Sequence, residues 1–180
     1  IGKKIDGVNS LIKLILDSSI FGQNIFSGIR AVVFGKPNSG KSSLYNAILG
    51  YDRAIVSSSA GTTRDTIESW IELEGVPVCL IDTAGVWESK NYLEILGINK
   101  THSELNRSDI IILVDENNPK ILLKQSFTQN FKNKCLLVKT KTDLNKKNGL
   151  GDKNIIYTSA KTNHGINKLL TSLSTRIVNN

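Results

Sequence analysis

The sequence predicts an α/β fold in which helices cover both faces of a mostly parallel, six-stranded sheet. Short apolar runs typical of strands alternate along the chain with segments whose apolar residues recur at helical spacing. Such alternation of strand and helix builds parallel sheets. One pair of predicted strands is instead joined by the tight link Glu74-Gly75, which indicates a single antiparallel hairpin at the edge of the sheet.

Each element follows from its own stretch of sequence. Strands are predicted at residues 29–34, 66–73, 76–81, 110–114, 134–139 and 154–157. Helices are predicted between most of them, at residues 41–49, 92–106, 119–131 and 164–178. Ahead of the sheet, residues 3–18 show helical spacing that Gly22 and Gly28 interrupt, so residues 1–27 are interpreted as a helix and linker outside the core.

Composition fits one soluble globular domain of 180 residues, with 39% hydrophobic and 22% charged residues. The sequence contains no methionine and is interpreted as a piece of a longer protein. No apolar run is long enough to cross a bilayer and no secretory pattern is present, so a cytoplasmic protein with no membrane partner is expected. Cys79 and Cys135 lie in apolar stretches, which favours two reduced, buried thiols over a disulfide.

The net charge is +7, and lysines are concentrated in residues 120–153. Two interpretations are open for this segment. It is either a face that approaches nucleic acid or a solvated rim, and the rim is favoured.

Residues 35–42, GKPNSGKS, follow a predicted strand, open a predicted helix and fit the pattern G-x-x-x-x-G-K-[ST]. Glycines let backbone N–H groups surround phosphate oxygens, and the helix N-terminus adds partial positive charge. Lys41 is expected to bridge the β- and γ-phosphates, and Ser42 to ligate Mg²⁺. The predicted phosphate-binding residues are Asn38, Ser39, Gly40, Lys41, Ser42 and Ser43.

Two further segments are predicted to complete the Mg²⁺ and γ-phosphate contacts. In DTAG (residues 82–85), which ends the third predicted strand, Asp82 is expected to hold Mg²⁺ through water. Gly85 is expected to donate its N–H to the γ-phosphate. In GTTRD (residues 61–65), Thr62 is assigned to nucleotide binding and Thr63 to the Mg²⁺ shell, the alternative being a hydroxyl-rich turn.

Two segments after later strands predict recognition of guanine. The Asp143 carboxylate in TKTD (residues 140–143) can accept hydrogen bonds from guanine N1–H and the 2-amino group, a pattern that adenine lacks. Lys141 is expected to lie along the base, and the Ala160 N–H to reach the guanine O6. The neighbouring binding residues are Thr140, Ser159 and Lys161. The phosphate loop, DTAG, TKTD and residues 159–161 each follow the end of a predicted strand, where such sheets bind ligands. A three-layer, Ras-like P-loop GTPase fold is therefore predicted.

Val86 directly follows the DTAG motif, where Ras-like GTPases place a glutamine that orients the attacking water. Valine cannot orient water. Hydrolysis is therefore expected to need another residue, a partner or an ion. A nucleotide-sensing switch with negligible hydrolysis is the alternative.

From residue 28 to about residue 178 the sequence resembles the G domain of the MnmE (TrmE) family of tRNA wobble-uridine modification GTPases. The strings that carry the resemblance are GKPNSGKSSLYNAIL, AIVSSSAGTTRDTIE, LIDTAGV and, most diagnostic, LEILGINKTHSEL. The resemblance implies that residues 1–27 end the helical domain and that residues 28–180 form the GTPase domain. Ribosome-assembly GTPases of the Der and Era kinds share the first three strings and are the alternative.

The resemblance also implies partners and a catalytic arrangement. G domains of the family dimerise through their nucleotide faces in the triphosphate state, and the complex includes an MnmG-like FAD protein and tRNA. GTP or GDP, Mg²⁺ and K⁺ are the expected cofactors, with K⁺ stimulating hydrolysis. The residues expected to hold K⁺ are Asn38, Ser57, Ser59 and Thr62.

Glu94 aligns with the water-orienting glutamate of that family, so catalytic roles are expected for Glu94, Lys41 and Gly85. An ordinary exposed helix acid is the alternative for Glu94. Thr140 departs from the family, which usually has asparagine there in contact with both the base and the phosphate loop. Weaker nucleotide affinity, with specificity kept, is expected from this departure.

Overall fold

The computed structural model describes residues 28–51, 67–83, 103–126, 129–144 and 151–178. Its six strands are β1 (Ile29–Gly35), β2 (Ile67–Leu73), β3 (Val76–Asp82), β4 (Ile110–Asp115), β5 (Cys135–Lys139) and β6 (Ile155–Tyr157). Its helices are α1 (Lys41–Leu49), α2 (Pro119–Ser126), α3 (Gln129–Lys132) and α4 (Ile166–Val178), with a short 3₁₀ helix, η1 (Thr142–Leu144). Residues 103–107 are also helical.

The strands form one sheet in the order β2-β3-β1-β4-β5-β6. Every neighbouring pair is parallel except β2 and β3, which pair antiparallel at the edge. Glu74 and Gly75 make the turn between these two strands with φ angles of 52° and 79°. Positive φ at both positions suits the right-handed twist of a hairpin. The predicted sheet and its edge hairpin are therefore confirmed.

The core lies in two layers, one on each face of the sheet. On one face, α1 and α4 pack against alternate residues of the central strands, such as Ala31 and Val33. On the other face, Val32 packs with side chains that include Leu105 and Leu122. Alternate residues of β1 thus point to opposite cores, as strand geometry requires. This arrangement is the predicted three-layer fold.

Cys79 and Cys135 are both buried, unpaired thiols in the second of these layers. Burial raises the pKa of each thiol to about 11. The prediction of two reduced core cysteines is confirmed.

Some element boundaries differ from the predicted ones. Helix α4 begins at Ile166 rather than at residue 164, because the His164 carbonyl accepts a hydrogen bond from the Ser159 N–H at 2.9 Å. Gly165 between them has a φ of 72°, and a Cβ there would lie 2.0 Å from the Tyr157 carbonyl oxygen. The predicted helix at 119–131 is present as α2 and α3. The predicted helices at residues 3–18 and 92–101 lie outside the described residues.

Part of the lysine-rich segment makes local contacts. Lys120 forms an ion pair with Asp152. The Lys134 ammonium donates to the Ser108 carbonyl at 2.7 Å. These contacts agree with a solvated rim. Among the helices of the described ranges, none has the length and apolar character needed to span a membrane.

Candidate nucleotide-binding site

Those predicted motif residues that the structure describes lie together at the end of the sheet where the parallel strands finish. The phosphate loop links β1 to α1, Asp82 ends β3, and the TKTD segment follows β5. The SAK segment (residues 159–161) follows β6. Carboxyl ends of parallel strands form the usual ligand crevice of such sheets.

The phosphate loop has the backbone geometry that its glycines predict. Gly40 has a φ of 88° and directly precedes α1. Gly35 lies so close to β4 that a Cβ would be 2.2 Å from the Val114 carbonyl oxygen. Asn38 also has a positive φ, 60°, which asparagine adopts more readily than most residues. Substitution at Gly35 or Gly40 would therefore displace the loop.

Lys41 is held over the phosphate loop from the first turn of α1. Its side chain is buried, and its ammonium donates to the Lys36 carbonyl at 2.8 Å. Burial lowers the pKa of Lys41, while attraction to the Asp82 carboxylate opposes this shift. Asp82 is itself only 1% exposed. The structure thus brings a cation and a carboxylate together beside the exposed Ser42, as a site for phosphate and Mg²⁺ requires.

Two consecutive residues after β5 hold two consecutive carbonyls of the phosphate loop. The Thr140 hydroxyl donates to the Ser39 carbonyl at 2.6 Å, and this bond is buried. The Lys141 ammonium donates to the Asn38 carbonyl at 2.7 Å. Thr140 therefore keeps the contact with the phosphate loop that asparagine makes in the resembling family. Its predicted effect on affinity stays a prediction.

Asp143 lies in η1 with its carboxylate exposed to solvent. A hydrogen bond from the Ser159 hydroxyl lowers the pKa of Asp143, and the nearby Lys161 lowers it further. The Thr142 N–H and hydroxyl both donate to the Thr158 carbonyl, at 3.2 and 3.0 Å, which fixes η1 against the SAK segment. An ionised carboxylate is thereby presented beside Ser159, where guanine recognition was predicted.

The remaining phosphate-loop residues differ in exposure. Ser43 is exposed like Ser42, whereas Ser39 is 3% exposed and its N–H bonds the Lys36 carbonyl at 3.2 Å. Within the described part of the chain, the Ser39 hydroxyl has no hydrogen-bond partner. The backbone of Ser39 thus shapes the loop, while its hydroxyl is directed into the protein.

Sequence reasoning missed Glu116. Its carboxylate lies 2.6 Å from the Lys141 ammonium. The available signal was an acidic residue directly after β4, at the same edge of the sheet as the other motifs.

Several predicted site residues lie outside the described residues, so their roles stay predictions. They are Ser57, Ser59, Thr62, Thr63, Gly85 and Glu94.

A protein-family model described as "50S ribosome-binding GTPase" matches residues 30–142, more than half of the chain. The chain belongs to this GTPase family. The phosphate loop, Asp82 and residues 140–142 lie within the matched range, and Asp143 directly follows it.

Individual relatives indicate a narrower group of GTPases that this chain resembles. It is 43% identical over 149 residues to the tRNA modification GTPase MnmE of Carboxydothermus hydrogenoformans, covering 79% of this chain and 31% of that protein. It is 36% identical over 182 residues to MnmE of Leptospira interrogans, covering 96% of this chain and 40% of that protein. The resemblance to the MnmE G domain is confirmed, and the chain spans between about a third and two fifths of the length of these relatives.

A solved structure shares the fold of this GTPase. A GTP-binding protein from Sulfolobus solfataricus in complex with GDP superposes with a TM-score of 0.59 at 21% identity. The match covers 99% of this chain and 60% of that chain. The P-loop GTPase fold predicted from the strand and motif order is thereby confirmed.

Proposed function

We propose that this GTPase domain binds GTP and GDP and drives, by GTP hydrolysis, a protein that modifies the wobble uridine of tRNA. The similarity to two tRNA modification GTPases at 36–43% identity supports this proposal. The proposal of nucleotide binding rests mainly on one observation. Thr140 and Lys141, in the TKTD segment, bind two carbonyls of the phosphate loop and so connect the proposed base-binding and phosphate-binding parts of the site.

Guanine selectivity follows from Asp143. Its lowered pKa keeps the carboxylate ionised at neutral pH, so it accepts hydrogens and donates none. Adenine would leave this carboxylate without its two donors, which disfavours adenine nucleotides strongly. Lys141 is proposed to lie along one side of the base, and residues 159–161 to close the other side, with the Ala160 N–H reaching the guanine O6.

The described residues fit an Mg²⁺ ion. The exposed Ser42 hydroxyl and the buried Asp82 carboxylate are hard oxygen ligands next to the phosphate loop. Thr63 would supply a further hydroxyl. Mg²⁺ neutralises phosphate charge during phosphoryl transfer. Lys41 supplies a second, fixed positive charge from α1.

K⁺ is proposed as a further activator, held by Asn38 with Ser57, Ser59 and Thr62. Asn38 is exposed at the rim of the phosphate loop, with its carbonyl already bound by Lys141. A cation there supplies the positive charge that an arginine finger provides in other GTPases. Because Val86 cannot orient water, Glu94 is proposed for that role.

The proposed assembly is a homodimer through the nucleotide faces of two G domains, formed in the triphosphate state. An MnmG-like FAD protein and tRNA are the proposed partners of the full-length protein, in the cytoplasm.

The proposed K⁺-stimulated hydrolysis is tested by measuring GTP turnover with Mg²⁺, first in K⁺ and then in Na⁺ at equal ionic strength. Strong stimulation by K⁺, abolished by Lys41→Ala, is the expected result. Equal and very slow turnover in both salts would refute the K⁺-dependent mechanism and favour a GTP-binding switch.

A ribosome-associated role is the second candidate, because the matching family model is described as ribosome-binding. Co-sedimentation of the GTP-bound protein with purified 50S subunits distinguishes the two candidates. Stable, nucleotide-dependent association would favour ribosome assembly over tRNA modification.

A further inference from the structure

The Lys141 ammonium lies between two acceptors from different parts of the fold. One is the Asn38 carbonyl of the phosphate loop at 2.7 Å, and the other is the Glu116 carboxylate at 2.6 Å. Lys141 reaches both from a backbone with a φ of 55°, which is uncommon for residues other than glycine. Its position is therefore set by specific contacts rather than by a common backbone conformation.

Glu116 is carried by a turn that is fixed to the end of β4. The preceding Asp115 is buried, and one of its carboxylate oxygens accepts the N–H groups of Asn117 and Asn118, each at 2.7 Å. The Asp115 carbonyl in turn accepts the Thr140 N–H at 3.2 Å. These bonds hold Glu116 at a defined place relative to the segment that contains Lys141.

We propose that Glu116 is a positioning residue for nucleotide binding. It holds the Lys141 ammonium against the Asn38 carbonyl and so ties the phosphate loop to the base-binding segment, which is the TKTD segment at residues 140–143. The inference rests on the proposed guanine-nucleotide site. Glu116 acts through Lys141, which connects β4, β5 and the phosphate loop.

The solvent exposure of the Lys141–Glu116 ion pair determines how much its loss should weaken nucleotide binding. The Lys141 and Glu116 side chains are 37% and 44% exposed, so water and salt screen the ion pair. Pairs of this kind are worth a factor of about two to five in an equilibrium constant. Loss of the Glu116 charge is therefore expected to raise the Kd for GDP and GTP about two- to fivefold.

Fluorescent GDP and GTP titrations of Glu116→Gln against the wild type test the proposal, with KM and kcat measured on the same preparations. The Kd and KM should rise together while kcat at saturating GTP stays unchanged. Glu116→Asp should restore part of the affinity. Glu72→Gln, an exposed acid in the edge hairpin, is the matched control and should bind like the wild type.

Two readouts separate ionic positioning from a general structural role. In a Lys141→Met background, Glu116→Gln should change nothing further. Raising ionic strength with choline chloride at constant K⁺ to about 1 M should remove the difference between Glu116→Gln and the wild type.

The outcomes are distinguishable. Failure of the wild type to bind guanine nucleotides would overturn the proposed function itself. If the wild type binds and Glu116→Gln matches Glu72→Gln, the positioning role is wrong. A Glu116→Gln effect that persists with Lys141→Met, or that lowers kcat rather than affinity, would also overturn it.

Discussion

Thr140→Val removes the donor of the most buried link between the base-binding segment and the phosphate loop. The Thr140 hydroxyl donates to the Ser39 carbonyl at 2.6 Å, and both residues are less than 5% exposed, at 4% and 3%. Valine keeps the branched shape but has no donor. The Thr140 N–H bond to Asp115 needs no side chain and is expected to remain.

Two effects add in this variant. A buried carbonyl left without its donor costs about 1–3 kcal/mol in the free energy of unfolding. The oxygen-to-oxygen distance of 2.6 Å is also shorter than a methyl–oxygen contact of about 3.3 Å, so the loop must shift to admit the methyl group. The unpaired carbonyl alone is expected to destabilise the protein by about 1–3 kcal/mol. The loop shift adds to this loss, and both effects should weaken GDP binding.

Equilibrium unfolding in urea measures the stability term, and titration with fluorescent GDP measures the affinity. Thr171→Val is the matched control, because the Thr171 hydroxyl bonds only a carbonyl of its own helix on the exposed face of α4. That variant should stay within about 0.5 kcal/mol of the wild type. Thr140→Ser, which keeps the hydroxyl, should lose less stability than Thr140→Val. Equal stability of Thr140→Val and Thr171→Val would refute the reasoning.

Further predictions concern Asp143, Ser39 and the two cysteines. Asp143→Asn should shift preference from guanine to xanthine nucleotides, since an amide can donate to the 2-oxo group; an unchanged ratio of GDP to XDP affinity would contradict the assignment. Ser39→Ala should raise the free energy of unfolding by about 1 kcal/mol with GDP affinity kept, because the buried hydroxyl has no partner among the described residues; a loss of stability would reveal one. Burial raises the thiol pKa of Cys79 and Cys135 from 9.0 to about 11, so alkylation of native protein at pH 8 should be slow and should accelerate on unfolding. The stabilising contribution of these protonated thiols is fully present below pH 9 and is lost as pH rises towards 11.

Within the described residues, the sequence predicted the order and type of the main elements, because strand and helix signals here are separated by clear breaks. The two-residue link at Glu74-Gly75 defined the antiparallel edge, and helix α1 has the predicted bounds. The start of α4 was wrong by two residues. The error arose because residues before α4 form a bridge between Ser159 and His164. This bridge depends on where β6 ends, which the helical spacing of apolar residues cannot reveal.

Motif spacing predicted which residues form the candidate site but not how they contact one another. Motif spacing identified Lys41, Asp82 and Asp143, since each has a chemical role that a short pattern preserves. It did not predict that Thr140 would hold the Ser39 carbonyl, because a lone hydroxyl has many possible acceptors. Glu116 was missed for a related reason, because an acidic residue after a strand is common. Only the short distance between its carboxylate and the Lys141 ammonium indicates a role.

These contacts suggest why threonine suffices at position 140. The phosphate loop contains two residues with positive φ, Asn38 and Gly40, so its shape needs external support. An asparagine could supply that support and contact the base with one side chain. Here Thr140 and Lys141 each hold one loop carbonyl, and Asp143 is the residue proposed to contact the base. On this argument the loop is shaped before nucleotide binds, and its preorganisation should depend on the residues after β5 more than on the ligand.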